Sequence, residues 1–375
     1  MFSAIGLSCI IQKNRKRKVV RKIMTGIDFR LPFFIVFVII RLIQFGVINI
    51  MEEKIRILLD TDAGDDIDDA LAIALGLSSK EVEFVGITTV FKNTEDRARL
   101  VKKLVSDGGF DIPVYAGYCG GIKVPTDAYN GFPNQIKGND GKFHMCQFTE
   151  DLLLPKYAPV NAEEGFEGAS AVDFIIESCY KYGKELIVLA IGPFTNIAKV
   201  IEKDPDALNH AKKVVIMGGA FFTTFPEWNV LCDVDASDLL FSGAVKNLEC
   251  VGLDVTWQTK LRPEEAEIMR NYKGKAYSEY ASKLVRIWME RNKGAMPTLH
   301  DPLAFFYCIC PDILEMEDMC VKVATQGEAR GVTLNVSKWE AFHRRCMHSA
   351  QVKAAKKVDR ERFLKEYLKR VFDCK

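Results

Sequence analysis

No C-x-x-C pair occurs among the 11 cysteines, and the spacing of Cys308 and Cys310 matches no standard zinc or redox motif. That leaves the common zinc folds and a thioredoxin-like centre without support. Scattered thiols instead suit a reducing cytosol, where cysteine serves as a small core residue. Charge bias is missing too: 51 basic against 50 acidic residues leave a net charge of +1, with no general attraction to nucleic acid or acidic partners. Internal repeats and low-complexity linkers are also absent, which argues against a solenoid or a string of small modules. What remains is a 375-residue chain with 48% hydrophobic content, enough to bury a large core.

The first fifty residues differ in kind from the rest. A basic run, Lys13-Asn14-Arg15-Lys16-Arg17-Lys18, precedes an apolar segment from Leu31 to Ile50. The length of that segment approaches the ~20 residues a membrane span needs. Arg41 and Gln44 interrupt it, however, and an Arg near mid-bilayer costs about 2.5 to 3.5 kcal/mol on insertion scales. A secretory signal with Leu31 to Ile40 as its apolar core lacks a clear small-x-small cleavage site. Either form of export would carry the many thiols out of the cytosol. The expectation is a dispensable extension over residues 1–50, at most a weak membrane anchor, ahead of a cytoplasmic domain from Met51 to Lys375.

That domain opens on Ile55-Arg56-Ile57-Leu58-Leu59-Asp60-Thr61-Asp62-Ala63-Gly64-Asp65-Asp66-Ile67-Asp68-Asp69-Ala70, an apolar run that breaks into aspartates around one glycine. Ile57, Leu58 and Leu59 suit a strand buried on both faces, and Ala70-Leu71-Ala72-Ile73-Ala74-Leu75 suits a well-packed helix. The acids therefore lie at a strand-to-helix corner. Helix capping accounts for one or two of them, not for all. Carboxylates this close stay ionised only when water, a helix N-terminus or a metal compensates them, and hard oxygen ligands favour Ca²⁺ or Mg²⁺. Open parallel sheets also bind their ligands beyond strand C-termini.

Downstream, strand-like runs alternate with amphipathic segments: Phe84 to Thr89, then a helix through Arg97 to Val105; Leu186 to Ile191, then Asn196 to Ile201; Val214 to Met217; and Cys250 to Val255. The alternation predicts an α/β fold, a single large domain with a mostly parallel, Rossmann-like central sheet flanked by helices. Tyr118 to Pro159, rich in Gly, Pro and Asn, reads as long surface loops. Val352 to Phe372 reads as a helix with a solvated basic face.

Further segments end strands in polar residues that would meet the acidic corner. They are Thr88-Thr89-Val90-Phe91-Lys92-Asn93, Ala190-Ile191-Gly192-Pro193-Phe194-Thr195-Asn196, Met217-Gly218-Gly219, Pro226-Glu227-Trp228-Asn229 and His300-Asp301-Pro302. Each alone is a common turn or a structural pair. In this order, together with Leu253-Asp254-Val255-Thr256, they resemble the nucleoside hydrolase family from about Ile55 to Phe372.

The resemblance implies hydrolysis of the N-glycosidic bond of a ribonucleoside, to ribose and free base, with a tightly held Ca²⁺. It implies that Asp62, Asp69 and Asp301 ligate the ion through side chains and Ile191 through its carbonyl. Water and the ribose hydroxyls would complete the roughly 6 to 8 oxygens that Ca²⁺ takes. Asp62 would also be the general base on a water at the ion. Asp68, Asn93, Glu227 and Asn229 would hold the ribose, with Met217 packed near the sugar. Such oxygens suit an oxocarbenium-like transition state, whose positive charge they stabilise. The leaving base needs a proton, for which His300 is the candidate, and Trp228 is either a stacking wall or a core aromatic. A homodimer or homotetramer acting in nucleoside salvage is the family expectation, and base preference stays open.

The chain departs from the family pattern in two places. The loop from Gly64 to Asp69 is two residues longer than the commonest form. Asp68-Asp69 are aligned because Ala70-Leu71-Ala72 follows them, with Asp66 as the substitute. The stretch between Met217 and Glu227 is short and lacks an asparagine that many members use at the ribose. Two alternatives compete. In a haloacid dehalogenase-type phosphatase, Asp60 of Asp60-Thr61-Asp62 would be the nucleophile, but His300-Asp301-Pro302 and Glu227-Trp228-Asn229 would have no role. A nucleoside-binding pseudoenzyme would be favoured by loss of Asp62 or Asp301, and both are present.

Overall fold

Along β1 (Ile55–Thr61), Ile57 and Leu59 pack into one hydrophobic core and Leu58 into another, the alternation of a strand whose two faces are both covered. Burying each of these leucines contributes about 1.5–3 kcal/mol. The computed structural model describes residues 54–122, 135–137, 143–145, 169–338 and 349–374. After β1 come α1 (Asp68–Ser78), β2 (Val82–Thr89), α2 (Thr94–Asp107) and β3 (Val114–Ala116). A separate two-stranded antiparallel sheet pairs β4 (Gln135–Lys137) with β5 (Phe143–Met145). Then follow α3 (Ala169–Tyr182), β6 (Leu186–Ala190), α4 (Thr195–Lys203), α5 (Ala207–His210) and β7 (Lys213–Met217). Two short helices, α6 (Trp228–Cys232) and α7 (Val234–Leu239), precede β8 (Leu248–Val251) and α8 (Leu253–Thr256). Helices α9 (Pro263–Arg270), α10 (Ala276–Arg291) and α11 (His300–Ile309) lead to β9 (Leu314–Val323), β10 (Thr333–Asn335), β11 (Ala350–Val358) and α12 (Arg360–Phe372).

The main sheet runs β10-β9-β11-β8-β7-β6-β1-β2-β3. Every pairing from β11 through β3 is parallel, and only β9 pairs antiparallel, with β10 and β11. This is the single, mostly parallel α/β domain that the alternation predicts. The chain grows outward from β1 through β2 to β3, then restarts on the other side at β6. That reversal opens a crevice beyond the C-terminal ends of β1 and β6, where open α/β sheets bind ligands. One core lies between the sheet and α1, α2 and α9 to α12, and the other between the sheet and α3, α4, α5 and α7.

Two elements differ from expectation. The strand expected through Val255 stops at Val251, because Gly252 turns the chain into α8. The helix expected from Val352 divides. Ala350, Val352 and Ala354 are buried while Gln351 and Lys353 are exposed, a period-two pattern that makes β11. The helix begins only after Asp359, whose side chain caps α12 by accepting from the Arg362 amide. The extension over residues 1–50 and most of Tyr118 to Pro159 lie outside the described residues. Among the described residues, no helix is long and apolar enough to cross a membrane.

Candidate active site

The acidic corner forms where β1 ends and α1 begins. Asp62 to Ile67 cross the end of the sheet, and Asp68 and Asp69 occupy the first turn of α1. Helix α11 packs on α1 and brings in Asp301, whose amide donates to Asp68 Oδ2 at 3.3 Å. Carboxylate oxygens of Asp68, Asp69 and Asp301 lie within 4.8 Å of one another, and all three residues are buried. Thr61 Oγ1 donates to Asp69. Burial raises the Asp62 carboxyl to about 7, with Arg97 pulling it down and Asp65 pushing it up. Burial, then mutual repulsion with neighbouring acids, holds Asp68, Asp69 and Asp301 well above the usual carboxylate range. Three like charges this close need protons or a cation, and their donor atoms are the hard oxygens a divalent ion takes. The residues present therefore fit a metal ion.

Across the crevice, the ends of β6 and β7 are joined by Asn229. Its Nδ2 donates to the Ile191 carbonyl at 2.9 Å and to the Met217 carbonyl at 3.1 Å. Asn229 is placed by α6, whose N-cap is Glu227. Glu227 Oε1 accepts from the Asn229 amide at 2.9 Å, and Oε2 accepts from the amides of Gly219 and Val230, both at 3.1 Å. Burial raises the Glu227 carboxyl to about 7, against the pull of those amides.

A cavity of about 210 Å³ opens between these groups, smaller than the roughly 300–1,000 Å³ of drug-sized sites and suited to a small ligand. Asp62, Asp68, Asp69 and Asp301 line one side, and Ile191, Met217, Glu227 and Asn229 line the other. Trp228 and His300 border it as well. Trp228 is half-buried and packs against the small cluster of Val90, Phe91 and Cys232, so it serves wall and core at once. His300 Nδ1 lies 2.7 Å from Thr256 Oγ1, and burial lowers its pKa to about 4, leaving a neutral imidazole near neutral pH. Asn93 is the exception among the expected residues: it is exposed at the start of α2 and does not line the cavity.

Asp60, the nucleophile of the phosphatase alternative, is fully buried and also outside the lining. Its Oδ1 accepts from Thr88 Oγ1 at 2.5 Å and Asn196 Nδ2 at 2.7 Å, which supports the corner, and its Oδ2 is buried without a partner, away from the cavity. Burial raises it to about 7.

Three residues around the corner carry no role in the sequence reading. Arg97 reaches under the acidic loop from α2. Gly192 lies where a Cβ would come within 2.9 Å of both the Asp62 amide nitrogen and Oδ1. Thr256 holds His300. Gly192 and Thr256 stand inside recognisable motifs. An arginine in a polar helix carries no signal that separates it from a solvated face.

The chain's residues 57–365 match the family model described as inosine-uridine preferring nucleoside hydrolase. Uridine nucleosidase 1 of Arabidopsis thaliana is 33% identical over 298 residues, covering 76% of this chain and 83% of the relative. A solved plant nucleoside hydrolase, the PpNRh1 enzyme, shares the fold with a TM-score of 0.72 at 24% identity, covering 85% of this chain and 99% of that one. A purine-preferring ribonucleoside hydrolase from Gardnerella vaginalis is 27% identical with a TM-score of 0.65, covering 85% and 98%. With the family model matching residues 57–365 and the acids gathered in one cavity, the chain belongs to the inosine-uridine preferring nucleoside hydrolases, N-glycosidases that hydrolyse ribonucleosides.

Proposed function

We propose that the chain cleaves ribonucleosides with a Ca²⁺ ion held by Asp62, Asp69, Asp301 and the Ile191 carbonyl, and with Asp62 as general base. The observation that supports this most is the buried acidic trio beside Asp62 in one cavity with Ile191. A divalent ion there would lower the pKa of a nearby water and draw the ribose hydroxyls toward the acids. Burial raises Asp62 when no cation is near, and an ion at the site would hold it ionised and able to accept a proton. Asp68 belongs to the same buried trio, within 4.8 Å of Asp69 and Asp301, and would hold a ribose hydroxyl beside the ion.

Glu227, Asn229 and Met217 form the opposite wall and would orient the sugar, with Asn93 reaching it only from outside the present lining. Glu227 Oε2 already accepts from two backbone amides, which makes Oε1 the oxygen that would take a hydroxyl. These acceptors surround the position where oxocarbenium charge develops. The departing base meets His300 and the Trp228 indole. In the tautomer whose Nδ1 accepts from Thr256 Oγ1, the neutral ring would carry its proton on Nε2 and could donate it to the base. Uridine is the first substrate to try, because a curated relative at 33% identity is a uridine nucleosidase. We further propose a cytoplasmic homodimer or homotetramer serving nucleoside salvage, with residues 1–50 dispensable.

The test is ribose release from inosine, adenosine, guanosine, uridine and cytidine, with and without a strong calcium chelator, for the full chain and for Met51 to Lys375. Chelator-sensitive release that ranks the bases supports the proposal. Release that survives complete removal of divalent ions overturns the role of the ion.

A further inference from the structure

Arg97 is completely buried, and its guanidinium joins three segments of the site. Nε donates to the Phe91 carbonyl at 2.7 Å. Nη1 donates to the Asp62 carbonyl and to the Ala63 carbonyl, the latter at 3.2 Å. Nη2 donates to Asp65 Oδ2 at 2.6 Å. The three segments are the exit from β1, the acidic loop, and the turn after β2. That turn has consecutive left-handed residues, Phe91 at φ 71° and Lys92 at φ 57°. Such backbone costs of order 1–3 kcal/mol per non-glycine residue and persists where the surroundings hold it. The Phe91 and Lys92 amides are held by the carbonyls of Tyr118 and Cys119, at 2.9 and 2.6 Å, while Arg97 holds the Phe91 carbonyl.

A side chain that only filled space here would need no charge, and a buried charge costs several kcal/mol unless its hydrogen bonds are met. What the planar fork alone supplies is simultaneous bonding to two successive carbonyls and a carboxylate. Asp65 belongs to the acidic loop between β1 and α1. Its carboxylate matches the Arg97 charge, so the guanidinium does not repel an ion from the remaining acids.

We propose that Arg97 is the positioning residue of the metal site: it sets the direction in which Asp62 leaves β1 and anchors the acidic loop, so that the acids face the cavity before an ion arrives. The inference rests on the reading of those acids as a divalent-cation site. Loop freedom that would otherwise be lost on ion binding is lost on folding instead. Outer partners of metal ligands typically contribute 10–100-fold to metal affinity.

The experiment is calorimetric titration with Ca²⁺ of the full chain stripped of divalent ions, for the wild type, Arg97→Lys, Asp65→Asn and the double variant. Lysine keeps the charge and loses the fork. Arg97→Lys is expected to bind Ca²⁺ about 10–100-fold more weakly, to melt at a lower temperature because buried carbonyls lose their donor, and to recover kcat when Ca²⁺ is raised to saturation. Asp65→Asn keeps the carbonyl contacts and is expected to lose less, and the double variant no more than Arg97→Lys, because the two act as a unit. Wild-type affinity in Arg97→Lys overturns the proposal and leaves the metal reading standing. A wild type that takes up no divalent ion overturns the metal reading, and the proposal with it. Should Arg97→Lys fail to fold, Asp65→Asn decides, and an unchanged affinity there overturns the anchoring of the loop.

Discussion

The Asn229 side-chain amide donates to the Ile191 carbonyl at 2.9 Å, so a residue assigned to the sugar also aims a carbonyl assigned to the ion. Asn229→Ala leaves the Ile191 and Met217 carbonyls without that donor. Loss of about 1–3 kcal/mol of stability is expected from the unmet buried groups. A rise in KM for ribonucleoside and weaker Ca²⁺ binding should accompany it, and thermal melts with steady-state kinetics measure both. An unchanged Ca²⁺ affinity would separate Ile191 from the ion.

Gly192 leaves room for Asp62. An alanine Cβ there would come within 2.9 Å of the Asp62 Oδ1 and amide nitrogen and 2.8 Å of Val90. The backbone after β6 is pinned by the bond from the Ile191 amide to the Asp60 carbonyl at 2.8 Å, so the acid has to yield. Gly192→Ala is expected to cut kcat by tenfold or more, roughly the cost of a small misplacement of reacting groups, while circular dichroism stays native. Normal turnover would show that Asp62 tolerates displacement.

Removing the ion should make stability depend on pH. Asp62 is raised to about 7 and Asp66 to about 6, both by burial first, and Asp68, Asp69 and Asp301 are raised further for the same leading reason. The folded protein then holds more protons than the unfolded chain above the ordinary carboxylate pKa, so stability falls as pH rises through the folded values. Chelated protein is expected to melt at a lower temperature at about pH 8 than at about pH 6, and Ca²⁺ to narrow the gap because it binds the ionised acids. Melts at both pH values, with and without chelator, test this, and a chelated protein more stable at the higher pH would contradict it.

His300 stands against Thr256 and is neutral near neutral pH. His300→Ala should lower kcat on natural nucleosides by about 10²-fold or more, the scale of a lost general acid. On an aryl riboside whose leaving group needs no proton, the loss should be slight. Equal losses on both substrates would assign the imidazole to binding.

Asp62→Asn keeps the size of the side chain and removes the base. Turnover should fall by about 10²–10⁴-fold or more with a native melting profile in the metal-free state, and near-normal turnover would transfer the proton to another group.

The sheet and the acidic corner were legible because their signals are local. A both-faces-buried run such as Ile57 to Leu59 and a dense acidic turn need only neighbouring residues to declare themselves. β11 was misread because Ala354 and Ala355 sit among lysines, a composition that suits a helix, and only pairing with β9 exposes its period of two. Arg97 was invisible for a related reason. Its partners Asp62, Ala63 and Asp65 lie more than thirty residues upstream, and no spacing rule connects them. Thr256 likewise acquires meaning only when His300, 44 residues later, folds against it.

The bond from the Asp301 amide to Asp68 spans 233 positions of chain. During synthesis at about 5–20 residues per second, that separation takes roughly 12 to 47 s to traverse. Through that interval the nascent chain carries the first acids without the helix that completes their cluster. Strands β9, β10 and β11 follow Asp301 in the chain, so the last acid of the cluster emerges before the sheet has its full set of strands, and the same final stretch of synthesis completes both.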